Sequence, residues 1–375
     1  MAKIRREGTV YYDKERKSYR AAFFTPEGKR MIKRFADEQA AKNWLVEQQN
    51  SINKGLFVEP DDITLGQWLI DWLQIFMKGN VRQRTFERYV SLVKHTNSLS
   101  KHQLQKIQPL AIQNLYRDLE SSISSNTIHK VHKILVASFK KAFEIGILNK
   151  NIMTTVAAPK FKTKEIEIFT QEDIKKILSS LKVDRYYKKY YPFVLTAIAT
   201  GVRLGELLGL RLCDVDLKAK EITIAQNLQA ASTGIIFEKP KTKAGLRRIS
   251  IPDEVVTALT PLKTNPKVVQ IDDIKNEDKD TLIFRTEKNT PIIPQNFNRA
   301  WRKILENADV DYKNFHVLRH THATQLLAAG IPIVEVSRRL GHSKTSHTLD
   351  LYGQAIPNYD KGIGDKISDI FQLQA

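Results

Sequence analysis

The chain has a single cysteine, Cys213, among 375 residues, so no internal disulfide can form. Cys213 stands in the apolar run LLGLRLCDV and reads as a small core residue. No run approaches the roughly 20 apolar residues that span a membrane. The basic start MAKIRREGTV has no apolar stretch behind it, so a secretory signal is not expected. The chain therefore reads as intracellular. There is no internal repeat, no marked low-complexity tract, no P-loop and no metal motif, so no cofactor is expected. Acidic residues are in deficit: 41 Asp and Glu face 60 Lys and Arg, a net charge of +19 with a pI near 9.7.

A surplus this large favours a polyanionic partner over a membrane surface. It is also uneven. Residues 1–34 hold eleven Lys and Arg against four acidic residues, a net of +7. Tyr11, Tyr12, Tyr19, Phe23 and Phe24 are interleaved with them. If these aromatics form the buried face of a small sheet, the charges opposite form a phosphate-binding surface.

The expected fold class is multidomain α+β. Residues 8–35 alternate in three runs, GTVYYD, KSYRAAFF and KRMIKRF, which predict three strands separated by turns. Ala41, Trp44, Leu45 and Ile52 then fall on one helical stripe, and Gly55 can end that helix. A linker, VEPDD, follows. Residues 63–158 predict a helical bundle: a helix capped by Thr64, one from Arg84 through Val93, one over Leu110 to Leu119, and one from Ser125 with Val131, Leu135, Phe139 and Phe143 on its stripe. Its exposed faces would carry Arg82, Arg84, Arg88, Lys130, Lys133, Lys140 and Lys141. After a second linker, AAPKFKTKEIE, Thr170 and Asp173 form a capping box that opens the last, mostly helical domain. Within it EITIAQNLQ, GIIFEKP and RRISIP predict a small antiparallel sheet.

Four places in that domain carry chemistry. In ATGVRLGELLGL, Gly201 breaks one helix and Arg203 stands at the start of the next, where backbone N–H groups favour an anion. In KPKTKAGLRRISIP, Lys239, Lys241 and Lys243 surround a hairpin-like turn at Ala244-Gly245. In HVLRHTHAT, His316, Arg319 and His320 share one helical face. Two histidines so spaced could bind zinc, but the zinc-protease pattern needs Glu where Val317 stands. In RRLGHSKTSHTLDLYGQ, Leu340-Gly341 reads as a helix stop, followed by His342 and then Tyr352. This set suits phosphoryl transfer without a metal. Two guanidiniums can hold the nonbridging oxygens of a phosphodiester. A tyrosine can attack and conserve the bond energy in a covalent phosphoester. Histidines can take up its proton, and a lysine can protonate the leaving oxygen.

Taken in order, ATGVRLGELLGL, PKTKAGLRR, HVLRHTHATQLLAAG and LGHSKTSHTLDLY resemble the tyrosine recombinase, or phage integrase, family. The resemblance implies an arm-site DNA-binding domain over 1–57, a helical core-binding DNA-binding domain over 63–158 and a catalytic domain over 168–375. It implies Arg203 and Arg319 as the phosphate-binding arginines and His316 and His342 as the active-site histidines. Lys241 would be the acid, although Lys243 also aligns. Tyr352 would be the nucleophile, forming a 3′-phosphotyrosyl link, with His320 in support; Tyr312 and Tyr359 lack the LGH motif at the right distance. Gln354 stands where relatives often have His. The implied function is site-specific recombination, integrating and excising a phage or integrative conjugative element, and the implied setting is the bacterial cytoplasm, in association with the nucleoid. The implied partners are double-stranded DNA, with core and arm-type attachment sites, a homo-tetramer that passes through a Holliday junction, and excision-control and DNA-bending accessory proteins. The tail DKISDIFQLQA, with Ile367, Ile370 and Phe371, would dock on a neighbouring protomer or on the chain's own core. The other readings are a type IB topoisomerase-like relaxing enzyme and a catalytically inactive DNA-binding regulator.

Overall fold

The computed structural model describes residues 8–55, 57–160, 166–232, 234–240, 242–264 and 281–353. The tail residues Ile367, Ile370 and Phe371, together with Gln354 and Tyr359, lie outside them. The chain divides into two compact units, residues 1–163 and 164–375.

The first unit begins with an antiparallel sheet of β1 (Thr9–Asp13), β2 (Ser18–Phe24) and β3 (Arg30–Phe35), in that order. Helix α1 (Glu38–Asn53) covers one face and is capped by Asp37, whose carboxylate accepts from Ala40 N at 2.8 Å. Side chains alternate across a pleated strand, so Val10, Tyr19, Ala21, Phe23, Met31 and Phe35 pack with Ala41, Trp44 and Leu45 of α1. The aromatics therefore do not all lie on the buried face. Tyr11 and Phe24 stand exposed on the open face, where the register sets Tyr11, Arg20 and Arg34 in one row.

The rest of the first unit is mainly helical. Helix α2 (Leu65–Trp72), capped by Thr64, runs on through a π-helical turn, Leu73–Met77. Helices α3 (Gln83–Val93), α4 (Pro109–Leu119) and α5 (Ser125–Glu144) follow, the last capped by Ser124. Trp68, Trp72, Leu115, Leu135 and Phe139 form their core, and the buried Trp68 indole N–H is satisfied by Ser138 O at 3.2 Å. Phe143, expected on the inner stripe, is 45% exposed. In that last turn Ala142 takes the buried place instead.

In the second unit, α6 (Gln171–Val183) opens with the expected capping box: Thr170 N donates to Asp173 at 2.9 Å and Asp173 N to Thr170 Oγ1 at 3.0 Å. Next come α7 (Tyr191–Thr200), α8 (Leu204–Leu208), β4 (Val215–Asp216), β5 (Glu221–Ile224), β6 (Asn227–Ala231), β7 (Gly234–Glu238), β8 (Arg247–Ser250) and α9 (Asp253–Thr264). Helices α10 (Pro294–Asn307), α11 (Val317–Ala328), α12 (Ile333–Leu340) and α13 (Thr345–Tyr352) complete it. Phe193, Phe297, Trp301 and Phe315 interlock at its centre, with ring centroids 4.6 to 5.7 Å apart.

Four local expectations change. The strands form two antiparallel sheets, β4-β5-β8 and β6-β7, rather than one. The run EITIAQNLQ is two strands, because the chain turns at Gln226, whose side-chain amide donates to Gly209 O at 2.8 Å. Since β7 pairs with β6 and β8 with β5, the stretch KPKTKAGLRRISIP links two sheets and closes no hairpin. Cys213 is exposed. It sits in a short 3₁₀ turn tied down by Arg211 and Asp214, while Leu210 and Val215 on either side fill the core.

Candidate functional site

The ends of five helices, α7, α8, α11, α12 and α13, and one strand, β8, supply the site. Helix α7 stops at Gly201, whose φ of +63° is left-handed, and Arg203 stands just before α8. That helix has only five residues. The backbone N–H of Arg203, expected to face an anion, already donates to the Glu206 carboxylate at 3.0 Å. Glu206 also accepts from Arg203 Nη1 at 2.8 Å, so the side chain of Arg203 is held by a neighbour one turn on.

Helix α11 supplies Arg319 and His320, with His316 immediately before it. Arg319 is 2% exposed. Its Nη1 donates to Gly201 O at 2.9 Å, and its Nη2 donates to Leu340 O at 2.7 Å and to His342 Nε2 at 2.9 Å. Burial and the neighbouring charge of Arg203 bring this guanidinium down to about 9, which leaves it cationic at neutral pH. His316 is exposed, and its ring stands edge-on to that of His320 with centroids 4.8 Å apart.

Helix α12 ends at Gly341, with φ of +71°, and His342 follows. A Cβ at Gly341 would lie 2.8 Å from Arg247 Nη1 and 3.0 Å from Ala244 O, so both its backbone and its surroundings call for glycine. His342 Nδ1 lies 2.8 Å from Thr348 Oγ1 on α13. Tyr352 ends α13; its ring is buried with Ala323, Val336 and Leu340, and its hydroxyl lies 2.9 Å from His320 Nδ1. Burial pushes this phenol up, while Arg319 and Arg203 pull it the other way.

The structure thus brings Arg203, His316, Arg319, His342 and Tyr352 together through one hydrogen-bonded and charge-coupled network. Lys241 lies outside the described residues. Lys243 is exposed at the start of a 3₁₀ turn, Lys243–Gly245. Tyr312 is exposed at 53%. Among the described residues, no three of His, Cys, Asp and Glu come together so as to hold a metal ion. No helix among them is long and apolar enough to cross a membrane.

The same segments match the family model described as "Phage integrase family" over residues 167–358. The chain belongs to the phage integrase family. It is a site-specific recombinase of the tyrosine recombinase type. Residues 64–120 also match the N-terminal SAM-like domain of phage integrases. A XerC-like tyrosine recombinase of Caldanaerobacter subterraneus is 31% identical over 349 residues, 87% of this chain and 88% of its own length. The ICEBs1 integrase of Bacillus subtilis is 27% identical over 298 residues, 79% of this chain and 80% of that protein. In fold, the chain is similar to the Tn1549 transposon integrase solved in complex with a circular intermediate DNA, with a TM-score of 0.70 at 22% identity over 81% of this chain and 99% of the other.

Sequence reasoning missed four residues that brace this candidate site. Glu206 and Arg247 form a buried ion pair at 2.8 Å, but they lie 41 residues apart and neither stands out locally. Thr348 and His322 were equally silent. His322 takes Arg339 Nε at its Nε2, 3.2 Å away, and its Nδ1 lies 2.9 Å from Ile198 O, which braces the α7 end against α12. The spacing of Glu206 three residues after Arg203 was the one signal available, since an i,i+3 pair meets on a helix.

Proposed function

We propose that this recombinase cleaves and rejoins double-stranded DNA of a mobile element through a 3′-phosphotyrosyl link at Tyr352. The observation that carries the reading is the convergence at Tyr352: its hydroxyl bonds the residue next to Arg319, and Arg319 bonds His342. On this reading Arg203 and Arg319 bind the nonbridging oxygens of the scissile phosphate. Their positive charge stabilises the extra negative charge of the transition state without reorganisation. His316 hydrogen-bonds the phosphate, and His342 holds the Arg319 guanidinium in place. A lysine of the segment 239–243, Lys241 by preference, gives a proton to the leaving 5′ oxygen. Rejoining reverses each step, and because the phosphoester is conserved no ATP is needed.

The integrase and transposase names of its relatives support a role in integrating, and by reversal excising, a mobile element. In this proposal residues 1–57 bind arm-type sites, residues 63–158 bind the core site, residues 168–375 catalyse, and four copies assemble on two DNA sites. Excision-control and DNA-bending proteins would set the direction. The test uses a nicked half-site duplex copied from the DNA that borders the gene. Wild-type protein should give a protein–DNA adduct that survives denaturation, and Tyr352→Phe should bind the duplex but give none. Adduct formation by Tyr352→Phe would overturn the proposal.

A further inference from the structure

Three histidines surround the Tyr352 end of the site, and their nitrogens are committed differently. A guanidinium can only donate, so the bond from Arg319 Nη2 makes His342 Nε2 an acceptor. The neutral ring then carries its proton on Nδ1 and donates it to Thr348 Oγ1. His342 therefore has no nitrogen left for a phenol. His316 meets His320 edge-on, and among the described residues no hydrogen bond joins His316 to Tyr352. His320 is different: its Nδ1 lies 2.9 Å from the Tyr352 hydroxyl, and the two ring centroids are 5.5 Å apart. That is within the reach a general base needs.

We propose that His320 is the base that takes the proton of Tyr352 as the phenol attacks the scissile phosphate. The assignment rests on Tyr352 being the nucleophile. The O–H bond of Tyr352 breaks and its proton passes to Nδ1 of His320, which becomes an imidazolium. The Oη–P bond forms and the P–O5′ bond breaks. The leaving 5′ oxygen is protonated by a separate acid, the lysine of the 239–243 stretch. In rejoining, the imidazolium returns its proton to Oη. The charged and titratable groups facing His320 are His316 and Arg319 from the same segment and Tyr352 from α13. Burial and Arg319 favour the neutral imidazole, the form that can accept.

The experiment compares full-length wild type, His320→Ala, His320→Asn and Tyr352→Phe in single-turnover adduct formation. Two half-site duplexes copied from the DNA bordering the gene are used. One carries the ordinary phosphate, and the other a 5′-bridging phosphorothiolate, whose sulfur leaves without needing a proton. Asn offers an oxygen near the position of Nδ1 but does not take a proton. Both His320 variants should bind DNA as wild type does and form the adduct on the order of 10²–10⁴-fold more slowly. The defect should persist on the phosphorothiolate, and the variants' rates should climb with pH toward the tyrosine range while the wild-type rate stays level. Wild-type rates for His320→Asn, or rescue of both variants by the phosphorothiolate, would remove His320 from the proton transfer while leaving Tyr352 in place. An adduct from Tyr352→Phe would remove both assignments.

Discussion

Arg247 donates to both carboxylate oxygens of Glu206, from Nη2 to Oε2 at 2.8 Å and from Nη1 to Oε1 at 3.3 Å. Arg203 Nη1 shares that carboxylate at 2.8 Å, and Arg247 Nε donates to Arg339 O at 2.7 Å. One buried arginine on β8 thus links the first phosphate-binding candidate to the turn that presents His342. Burial alone would raise the Glu206 carboxyl, but the bonds and charge of Arg247, with the charge of Arg203, outweigh it and bring it down to about 2.

Glu206→Gln should therefore be costly. Removing one partner of a buried ion pair leaves the other charge uncompensated, a loss of about 3–5 kcal/mol. The midpoint of urea unfolding should fall accordingly, and adduct formation should slow because Arg203 loses its anchor. The pH dependence has a definite sign. A carboxyl held below its ordinary value stabilises the fold above that value, and the benefit is lost as pH falls from about 4.5 to about 2. The gap in stability between wild type and Glu206→Gln should narrow over that window.

Gly201→Ala should destabilise more than Gly330→Ala. Both glycines have positive φ, but a Cβ at Gly201 would come within 2.5 Å of His322 Cδ2, whereas nothing lies within 4 Å of one at Gly330. Left-handed strain costs roughly 1–2 kcal/mol at either site; the clash adds to it only at Gly201, whose carbonyl also receives Arg319. Thermal melts of the two variants give the comparison, and equal losses would show that His322 yields without cost.

His322 should make the protein sensitive to mild acid. Burial, then the charge of Arg339, hold its ring down at about 4. As pH falls below the ordinary histidine value, near 6.5, the unfolded chain takes up a proton that the folded one refuses, so stability falls until about pH 4 and then levels. In urea unfolding at a series of pH values, His322→Gln should lose less stability between pH 7 and 5 than wild type. An unchanged slope would show that the folded state accommodates the charged ring.

Much of this was legible because it is local. The caps Thr64 and Thr170, the period-2 runs before residue 35 and the stop at Gly341 depend on near neighbours alone. Arg203, Arg319, His342 and Tyr352 stood out because their residue types, in that order, suit one reaction. What stayed hidden is long-range. Arg247 reads as one more basic residue until β8 is paired with β5 and its guanidinium meets Glu206. The hydroxyl of Tyr352 meets His320 only when α13 packs against α11, 32 residues away in sequence. The division of EITIAQNLQ between two sheets turns on a side chain, Gln226, whose partner is a distant carbonyl.

The open face of the N-terminal sheet gives the last prediction. Tyr11, Arg20 and Arg34 lie in one cross-strand row on the side away from α1, and Arg30 of β3 is exposed on the same side. Arg20 is engaged by Asp13 at 2.6 Å, so Arg34 and Arg30 are the better probes of phosphate binding. If this face grips arm-type DNA, Arg30→Ala with Arg34→Ala should weaken binding to a full attachment site and leave binding and cleavage of a core-only duplex unchanged. Each phosphate that the protein neutralises contributes about 0.9 to the slope of log affinity against log salt, so the double variant should flatten that slope by roughly 1.8 on the long site alone. The measurement is a salt series on the two duplexes with wild type and variant. Equal slopes on the long site would mean that the basic sheet does not touch the phosphates. A matching loss on the core-only duplex would place the sheet on the core site instead.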